Sequence, residues 1–366
     1  MLRHTSLKWF AAAIVLLLLR VVAAWLPSGV EWVYSRGIFL VIRYGYDYTL
    51  GWLPVPMLYV GIGVLLLYLV KMWWVNRHTT PTRRQWWLRF GRRILGVVSA
   101  VVVMFLGLWG FNYARVPVEE QLQLTTAPIA PDSLYIELTQ LTAELTELRR
   151  QLHDDTTAIP DTFYPDDLET LCRDALAAKL AYHGYPTPGR PRVRRLQPKG
   201  VLLRISTAGV YLPWVLEAHI DAGLHPLQHA FTLTHEATHA YGFTDEGICN
   251  FWAYVATHDH SNLYIRYAGL LTYWRYLASS YRKVAPEAYR TYRREEVPTG
   301  ISNDLVAIYL NGQLYPDILP AVRDKAYDTY LKSQGVKEGL QSYSRVVLLV
   351  QAWRVNVEAG VYERQN

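Results

Sequence analysis

Two histidines and a glutamate near residue 235 have the types and spacing of a metal-dependent hydrolytic site. In LTHEATHAYGFTDEGICNFW, residues 233 to 252, His235 and His239 are four residues apart, and Glu236 follows the first histidine. Residues four apart lie on one face of a helix, so both imidazoles could bind one ion. In H-E-x-x-H zinc sites, the glutamate accepts a proton from the zinc-bound water as that water attacks a carbonyl. The segment predicts a Zn²⁺ site with Glu236 as general base.

The third protein ligand has two candidates, Glu246 and Asp245. Asp245 lies ten residues after His235 with Gly242 between them, a spacing at which a turn brings the next ligand back. Glu246 would lie at the start of a following helix capped by Thr244, on the face that looks back at the motif. We expect Glu246 to complete a His, His, Glu set. Asp245 and a site completed by water remain the alternatives.

The motif needs a helix to present it, and its flanking residues predict one. Residues 227–241 contain no Pro or Gly, Pro226 stands at a natural helix start, and Gly242 at a natural helix end. Two earlier helices are predicted. The first, over residues 134–152, carries a stripe of leucines and is expected to dock onto the domain rather than to dimerise. The second covers residues 166–183. The only convincing strand material, residues 201–223, precedes the motif. We therefore expect a mainly helical α+β domain with a small sheet.

Three apolar segments near the amino terminus predict membrane-spanning helices. They cover residues 9–26, 52–70 and 94–111, each near the ~20 residues that a helix needs to cross a bilayer. The first is too long for the apolar core of a signal peptide, so an uncleaved anchor is favoured over cleavage. The loop over 71–93 holds one Lys, six Arg and no acid. The positive-inside rule then predicts a cytoplasmic amino terminus and an extracytoplasmic, periplasmic carboxy-terminal domain.

The 366 residues thus divide into a membrane domain at 1–112, a linker at 113–131 and an exported domain at 132–366. The net charge of +6 needs no nucleic acid, because topology and anionic lipid explain the basic loop. The expected partners are the lipid bilayer of the inner membrane and a peptide or cell-envelope substrate. Whether Cys172 and Cys249 pair, and whether the chain forms oligomers, stays open.

Three segments resemble an uncharacterised bacterial family of three-span membrane proteins with an exported zincin-like domain. The segments are HEATHAYGFTDEGICNFWAYVA, YIRYAGLLTYWRYL and YDTYLKSQGVKEGLQSYSRVVLLVQAW. The family pattern is similar to H-E-x-x-H-x-x-G-F-x-x-E-x-E-x-N-F. The matching residues are His235, Glu236, His239, Gly242, Phe243, Glu246, Asn250 and Phe251, whereas Ile248 replaces the second Glu of the pattern. The resemblance implies a metallopeptidase-like domain without a known substrate.

Three further positions are weaker candidates for the site. Asn250 matches the family pattern and could support the ligands. Tyr343, in GLQSYSRVV, could stabilise an oxyanion, although packing is the commoner role of a tyrosine. His258 and His260 resemble a second metal cluster, but histidines at a helix end more often cap it or are exposed.

Two functions of different class fit these residues. The first is a membrane-anchored zinc metallopeptidase that hydrolyses peptide or amide bonds outside the cytoplasmic membrane. The second is a non-catalytic envelope protein with a structural or sensory zinc site. A closed structural site has no use for a carboxylate beside an open ligand position, so Glu236 favours the enzyme. The sequence predicts neither the substrate nor the cleavage preference.

Overall fold

The computed structural model describes residues 2–78, 82–318 and 345–362, together with residues 320, 325 and 329. The described chain is mainly helical and contains a small sheet of three strands. It divides into two compact units. The first unit comprises Met1–Val116, Pro188–Arg190 and Tyr211–Glu217, and the second comprises Pro117–Thr187, Pro191–Val210 and Ala218–Asn366.

The first unit is built from apolar helices. In chain order these are α1 (Leu2–Ala23), α2 (Pro27–Gly29), a π-helix (Val30–Ile38), α3 (Phe39–Asp47), α4 (Met57–Asn76) and α5 (Arg83–Leu108). Three helices, α1, α4 and α5, are long and apolar enough to cross a membrane, as the hydropathy predicted. The second apolar run begins at residue 52, but α4 begins five residues later, at Met57, because Pro54 and Pro56 cannot donate helical hydrogen bonds.

The second unit holds the remaining helices and carries the motif. They are α6 (Val118–Gln121), α7 (Pro131–Leu152), α8 (Leu168–Tyr182), α9 (Pro226–Ala240), α10 (Glu246–Thr257), α11 (Leu263–Val284), α12 (Pro286–Glu295), α13 (Thr299–Gln313) and α14 (Val346–Glu358). The leucine stripe of α7 is buried and packs against α11. This packing gives the stripe a partner within the same chain, so it needs no second copy.

The sheet comprises β1 (Val193–Leu196), β2 (Gly209–Leu212) and β3 (Glu217–Asp221) in the order β1-β3-β2, with β1 parallel to β3. β1 lies in the basic segment for which the sequence predicted turns. Only the first and last of its four residues are buried, so it lacks the continuous apolar pattern of a buried strand. All residues of β3 are buried, so its charged side chains face protein rather than solvent. β2 is an edge strand among the described residues.

Two helices present the candidate ligands. α9 has Pro226 at its first turn and is followed by Gly242 at φ +89°, a left-handed conformation that suits glycine. This confirms the predicted motif helix. α10 begins at Glu246, and its cap is Asp245, whose side chain accepts a hydrogen bond from Ile248 N at 2.9 Å. The prediction of Thr244 as the cap was therefore wrong. α9 packs against α8, α10 and α11, which bury nearly all of its residues.

Candidate metal centre

Three side chains of α9 and α10 converge on one point. The Nε2 atoms of His235 and His239 lie 3.2 Å apart. One oxygen of Glu246, Oε2, lies 3.0 Å from His235 Nε2 and 3.4 Å from His239 Nε2. All three residues are buried. The structure thus brings together the two motif histidines and the first residue of the following helix.

The other nitrogen of each imidazole faces an oxygen. His235 Nδ1 lies 2.8 Å from Asn250 Oδ1, and His239 Nδ1 lies 2.9 Å from the Phe243 carbonyl oxygen. These acceptors place the ring proton on Nδ1, which leaves a lone pair on each Nε2. Three electron-pair donors then face one another, so a cation between them is the favourable partner. Asn250 thus contacts His235, one of the candidate ligands.

The distances within this cluster suit a small tetrahedral metal ion. With metal–nitrogen distances of about 2.0–2.1 Å, neighbouring ligand atoms of a tetrahedral zinc site lie about 3.3 Å apart. The three observed separations run from 3.0 to 3.4 Å. Burial alone would raise the pKa of Glu246, but His239 and His235, when protonated, outweigh it and hold that pKa well below its ordinary range, so the ionised carboxylate favours positive charge at this point. The donor set therefore fits a divalent cation in both geometry and charge.

Cys249 adds a thiol to the cluster that sequence reasoning did not include. His235, His239 and Cys249 form a buried group with ligand atoms within 4.8 Å of one another, and this group could hold a metal ion. The Sγ atom of Cys249 lies 3.3 Å from His239 Nδ1, so the thiol contacts the ring nitrogen that does not face the other candidate ligands. Burial raises the pKa of Cys249 to about 12. Its spacing of three residues from Glu246 on α10 is the signal that could have identified it.

Glu236 is the second buried carboxylate of the cluster. A methyl group on Gly209 of β2 would lie 2.7 Å from both Cγ and Oε1 of Glu236, so only glycine allows the strand this close. The other oxygen, Oε2, has no hydrogen-bond partner among the residues that the structure describes. Burial raises the pKa of Glu236 to about 7. A buried oxygen without a partner is costly and is a natural position for a proton-bearing ligand or water.

Asp245, the alternative third ligand, is directed away from the imidazoles. Its Oδ1 caps α10, and its Oδ2 lies 3.0 Å from Arg345 Nη1. Arg345 also pairs with Glu119. The Asp245 carboxylate is therefore occupied by a cap and an ion pair, and the structure does not bring it into the cluster.

The weaker candidates have separate outcomes. Tyr343 lies outside the described residues, so the structure gives no account of it. His258 Nδ1 faces the Val255 carbonyl oxygen at 3.1 Å, and His260 Nδ1 accepts from Asn262 N at 2.9 Å. Both histidines thus contact the backbone near the end of α10. Cys172 and Cys249 are free and buried, so they do not form a disulfide.

Tyr276 on α11 is a polar neighbour that the sequence did not single out. Its side chain lies beside Asn250 and close enough to Glu246 for that charge to raise its pKa, although burial contributes most to the value of about 12. The hydroxyl therefore stays protonated at neutral pH and can donate a hydrogen bond. With 27 tyrosines in the chain, no sequence signal distinguished this one.

Comparisons with known proteins identify a family but no characterised relative. No curated protein and no solved structure matches the chain. One family, described as "Protein of unknown function (DUF3810)", matches residues 34–351, which is well over half of the chain. The match includes the motif helix and α10. The chain therefore belongs to this uncharacterised family.

Proposed function

We propose that the protein is a membrane-anchored, zinc-dependent metallopeptidase that hydrolyses peptide or amide bonds outside the cytoplasmic membrane. The observation that carries the proposal is the cluster of His235, His239 and Glu246 beside Glu236, whose Oε2 has no partner among the described residues. A purely structural metal site needs its ligands but not a second, non-ligating carboxylate beside them. The combination is the one required for hydrolysis by an activated water.

His235, His239 and Glu246 are the residues that would hold zinc. When bound, a zinc ion supplies Lewis-acid chemistry, because it polarises a substrate carbonyl and makes a water molecule acidic near neutral pH. Asn250 and the Phe243 carbonyl keep both imidazoles in the ligating orientation. A motif helix beside a small sheet, with the edge strand β2 against Glu236, is the arrangement that favours a zincin-like fold.

Glu236 acts as the general base. It takes a proton from the attacking water at Oε2 and passes that proton to the leaving amine. Packing against Gly209 holds the carboxyl group in place, and burial raises its pKa to about 7, near the pH of a neutral solution. Such a pKa suits a group that must both accept and release a proton. Tyr276 is hydrogen-bonded to Asn250 and so helps to hold the residue that faces His235.

The membrane anchor directs the second unit to the outside of the cell membrane. The seven Lys and Arg residues between α4 and α5 favour a cytoplasmic loop, so the amino terminus is cytoplasmic and the chain after α5 is periplasmic. A reporter enzyme fused after Tyr113 that was active only in the cytoplasm would reverse this orientation.

A second function keeps the metal but not the chemistry. Cys249 lies within ligand distance of the histidines, and a fourth protein ligand would close the site and make it structural or sensory. Its Sγ faces Nδ1 of His239 rather than Nε2, and this orientation favours the open, catalytic alternative.

The decisive experiment compares the wild-type protein with Glu236→Gln. Both are purified as full-length chains in detergent, their zinc content is measured, and hydrolysis is followed on a broad library of peptides and envelope fragments. We expect equal zinc content and a loss of about 10²- to 10⁴-fold in rate for the variant, as general-base removal usually gives. Full activity of Glu236→Gln would refute the mechanism, and inactivity of a zinc-loaded wild type on every substrate would favour the structural alternative.

A further inference from the structure

A cavity of about 900 Å³ opens in the second unit, beside the first turn of α9. This volume lies within the range of about 300–1,000 Å³ that is usual for ligand pockets. Its walls are formed by α11, α12, α13 and the loops around residues 203–208 and 315–317. None of the candidate metal ligands lines it. The cavity is therefore a separate site.

One face of α11 lines the cavity with cationic side chains. Arg275 and Arg282 are seven residues apart, and Ala278 and Ser279 between them also line the wall, as helical spacing requires. At 1.5 Å per residue, the two arginines lie about 10.5 Å apart along the helix. Arg293 on α12 adds a third guanidinium, which lies over the Trp274 ring at 5.5 Å.

Among the described residues that line the cavity, arginines outnumber acids. Asp317 is the only acidic residue among the described residues that line the cavity, and it accepts a hydrogen bond from Ser206 Oγ. Three arginines against one aspartate leave an excess of two positive charges. Arg275 and Arg282 make no ion pair or hydrogen bond within the described part of the chain. Surrounding protein lowers the pKa of Arg275 although its side chain still reaches solvent, which fits a position on a cavity wall.

Ala208 on the cavity wall directly precedes the strand that contacts the candidate general base. Ala208 lines the cavity, and the next residue, Gly209, lies against Glu236. Consecutive Cα atoms are about 3.8 Å apart. The part of the cavity wall at Ala208 is thus one residue away from the strand position that contacts Glu236. The loop that leads to this point is fixed, because the Asp221 carboxylate accepts from Gly200 N and Leu202 N, each at 2.7 Å.

We infer that this cavity binds the acidic part of a peptide substrate, a segment with two carboxylate side chains placed to one side of the bond that Glu236 would attack. The inference rests on the proposed peptidase function. Side chains two to four residues apart in an extended peptide are separated by about 7–13 Å, which spans the separation of Arg275 and Arg282. Arginine is also the side chain best suited to bidentate pairing with carboxylates.

The test measures binding separately from hydrolysis. Full-length Glu236→Gln protein in an uncharged detergent is titrated with a fluorescent decapeptide that contains Asp and Glu residues, and with its neutral counterpart containing Asn and Gln. We expect at least about tenfold tighter binding of the acidic peptide, since charge-assisted hydrogen bonds contribute at that level. Binding should weaken as ionic strength rises.

A matched pair of double variants assigns this binding to the cavity. Arg275→Gln/Arg282→Gln removes two charges from the wall, whereas Lys283→Gln/Arg290→Gln removes two exposed charges from α11 and α12 outside the lining. Only the first should lose about tenfold in affinity for the acidic peptide. Equal losses in both double variants would overturn the inference, because general surface charge would then explain binding. Displacement of the peptide by phosphatidylglycerol vesicles at the same residues would also overturn it, in favour of a lipid headgroup.

The hydrolysis assay separates this inference from the function on which it rests. The same two double variants, now with Glu236 intact, are assayed on acidic and neutral peptides. A raised KM for acidic peptides alone in the cavity variant supports both proposals. Hydrolysis without preference for acidic peptides leaves the peptidase standing and refutes the cavity assignment. Selective binding without any hydrolysis supports an acidic-peptide site and refutes the peptidase.

Discussion

Glu246 Oε2 lies 3.0 Å from His235 Nε2, although the two residues belong to different helices and are eleven positions apart. The Gly242 turn makes this approach possible, since its positive φ reverses the chain directly after α9. The asparagine at the other ring nitrogen keeps the proton away from Nε2. With both rings neutral, His235 Nε2 and Glu246 Oε2 could each bind a shared cation.

This relationship predicts that Glu246 and its neighbour Asp245 respond differently to loss of charge. Glu246→Gln should weaken zinc binding about as strongly as His235→Ala, because both remove a ligand. Asp245→Asn should keep the metal, since asparagine still caps α10 and the change removes the charge that pairs with Arg345. Zinc content and thermal melting of full-length variants measure both effects.

The metal also links this prediction to stability. A ligand at 1,000 times its dissociation constant stabilises the folded state by about 4 kcal/mol. The metal-free variants should therefore melt at a lower temperature than Asp245→Asn under saturating zinc. His260→Ala serves as a control, because its imidazole contacts the backbone after α10 and not the cluster. If Asp245→Asn lost zinc and Glu246→Gln kept it, the third ligand would have to be reassigned.

Gly209 gives a second prediction, which concerns the distance between β2 and the motif helix. Alanine at this position would place a methyl group 2.7 Å from the Glu236 side chain and from the His219 carbonyl oxygen. Overpacking of this kind costs about 1–3 kcal/mol, and any relief must move Glu236 or the strand. We expect Gly209→Ala to lower both the melting temperature and the rate of hydrolysis while zinc stays bound.

Gly45→Ala is the matched control for that change. Gly45 is in α3, where an added methyl group meets nothing within 4 Å. Alanine should be neutral or stabilising there, because it is a better helix former than glycine. Unaltered activity and stability of Gly209→Ala would mean that β2 does not constrain Glu236, and the argument from close approach would fail.

Local signals in the sequence were sufficient for the elements that carry the site. The histidine spacing, Pro226 and Gly242 together defined α9, because a helix period and its end signals are local properties. The three apolar helices followed from composition in the same way. The cap of α10 was misassigned by one residue, since Thr244 and Asp245 are both good capping residues and the backbone chooses between them.

Long-range contacts were not visible in the sequence. β1 was missed because Arg194 and Arg195 interrupt its apolar pattern, and its pairing partner β3 is more than twenty residues away. The approach of Gly209 to Glu236 and the position of Tyr276 beside Asn250 also depend on packing between distant segments. These features shape the surroundings of the cluster, which is why sequence reasoning named the candidate ligands but not their setting.

The last prediction separates an open site from a closed one and rests on Cys249. Its Sγ faces His239 Nδ1 and the Phe243 carbonyl oxygen, at 3.3 and 3.8 Å, on the side of the ring that points away from the other ligands. Cys249→Ser should therefore keep full zinc content and retain hydrolysis, with at most a modest loss of stability from placing a hydroxyl in a buried site. Cys172→Ser is the control, because Cys172 is also free and buried but belongs to α8. Zinc content measured by atomic absorption decides the outcome. Loss of zinc from Cys249→Ser alone would identify the thiol as the fourth ligand, close the site and replace the peptidase with a structural or sensory metal centre.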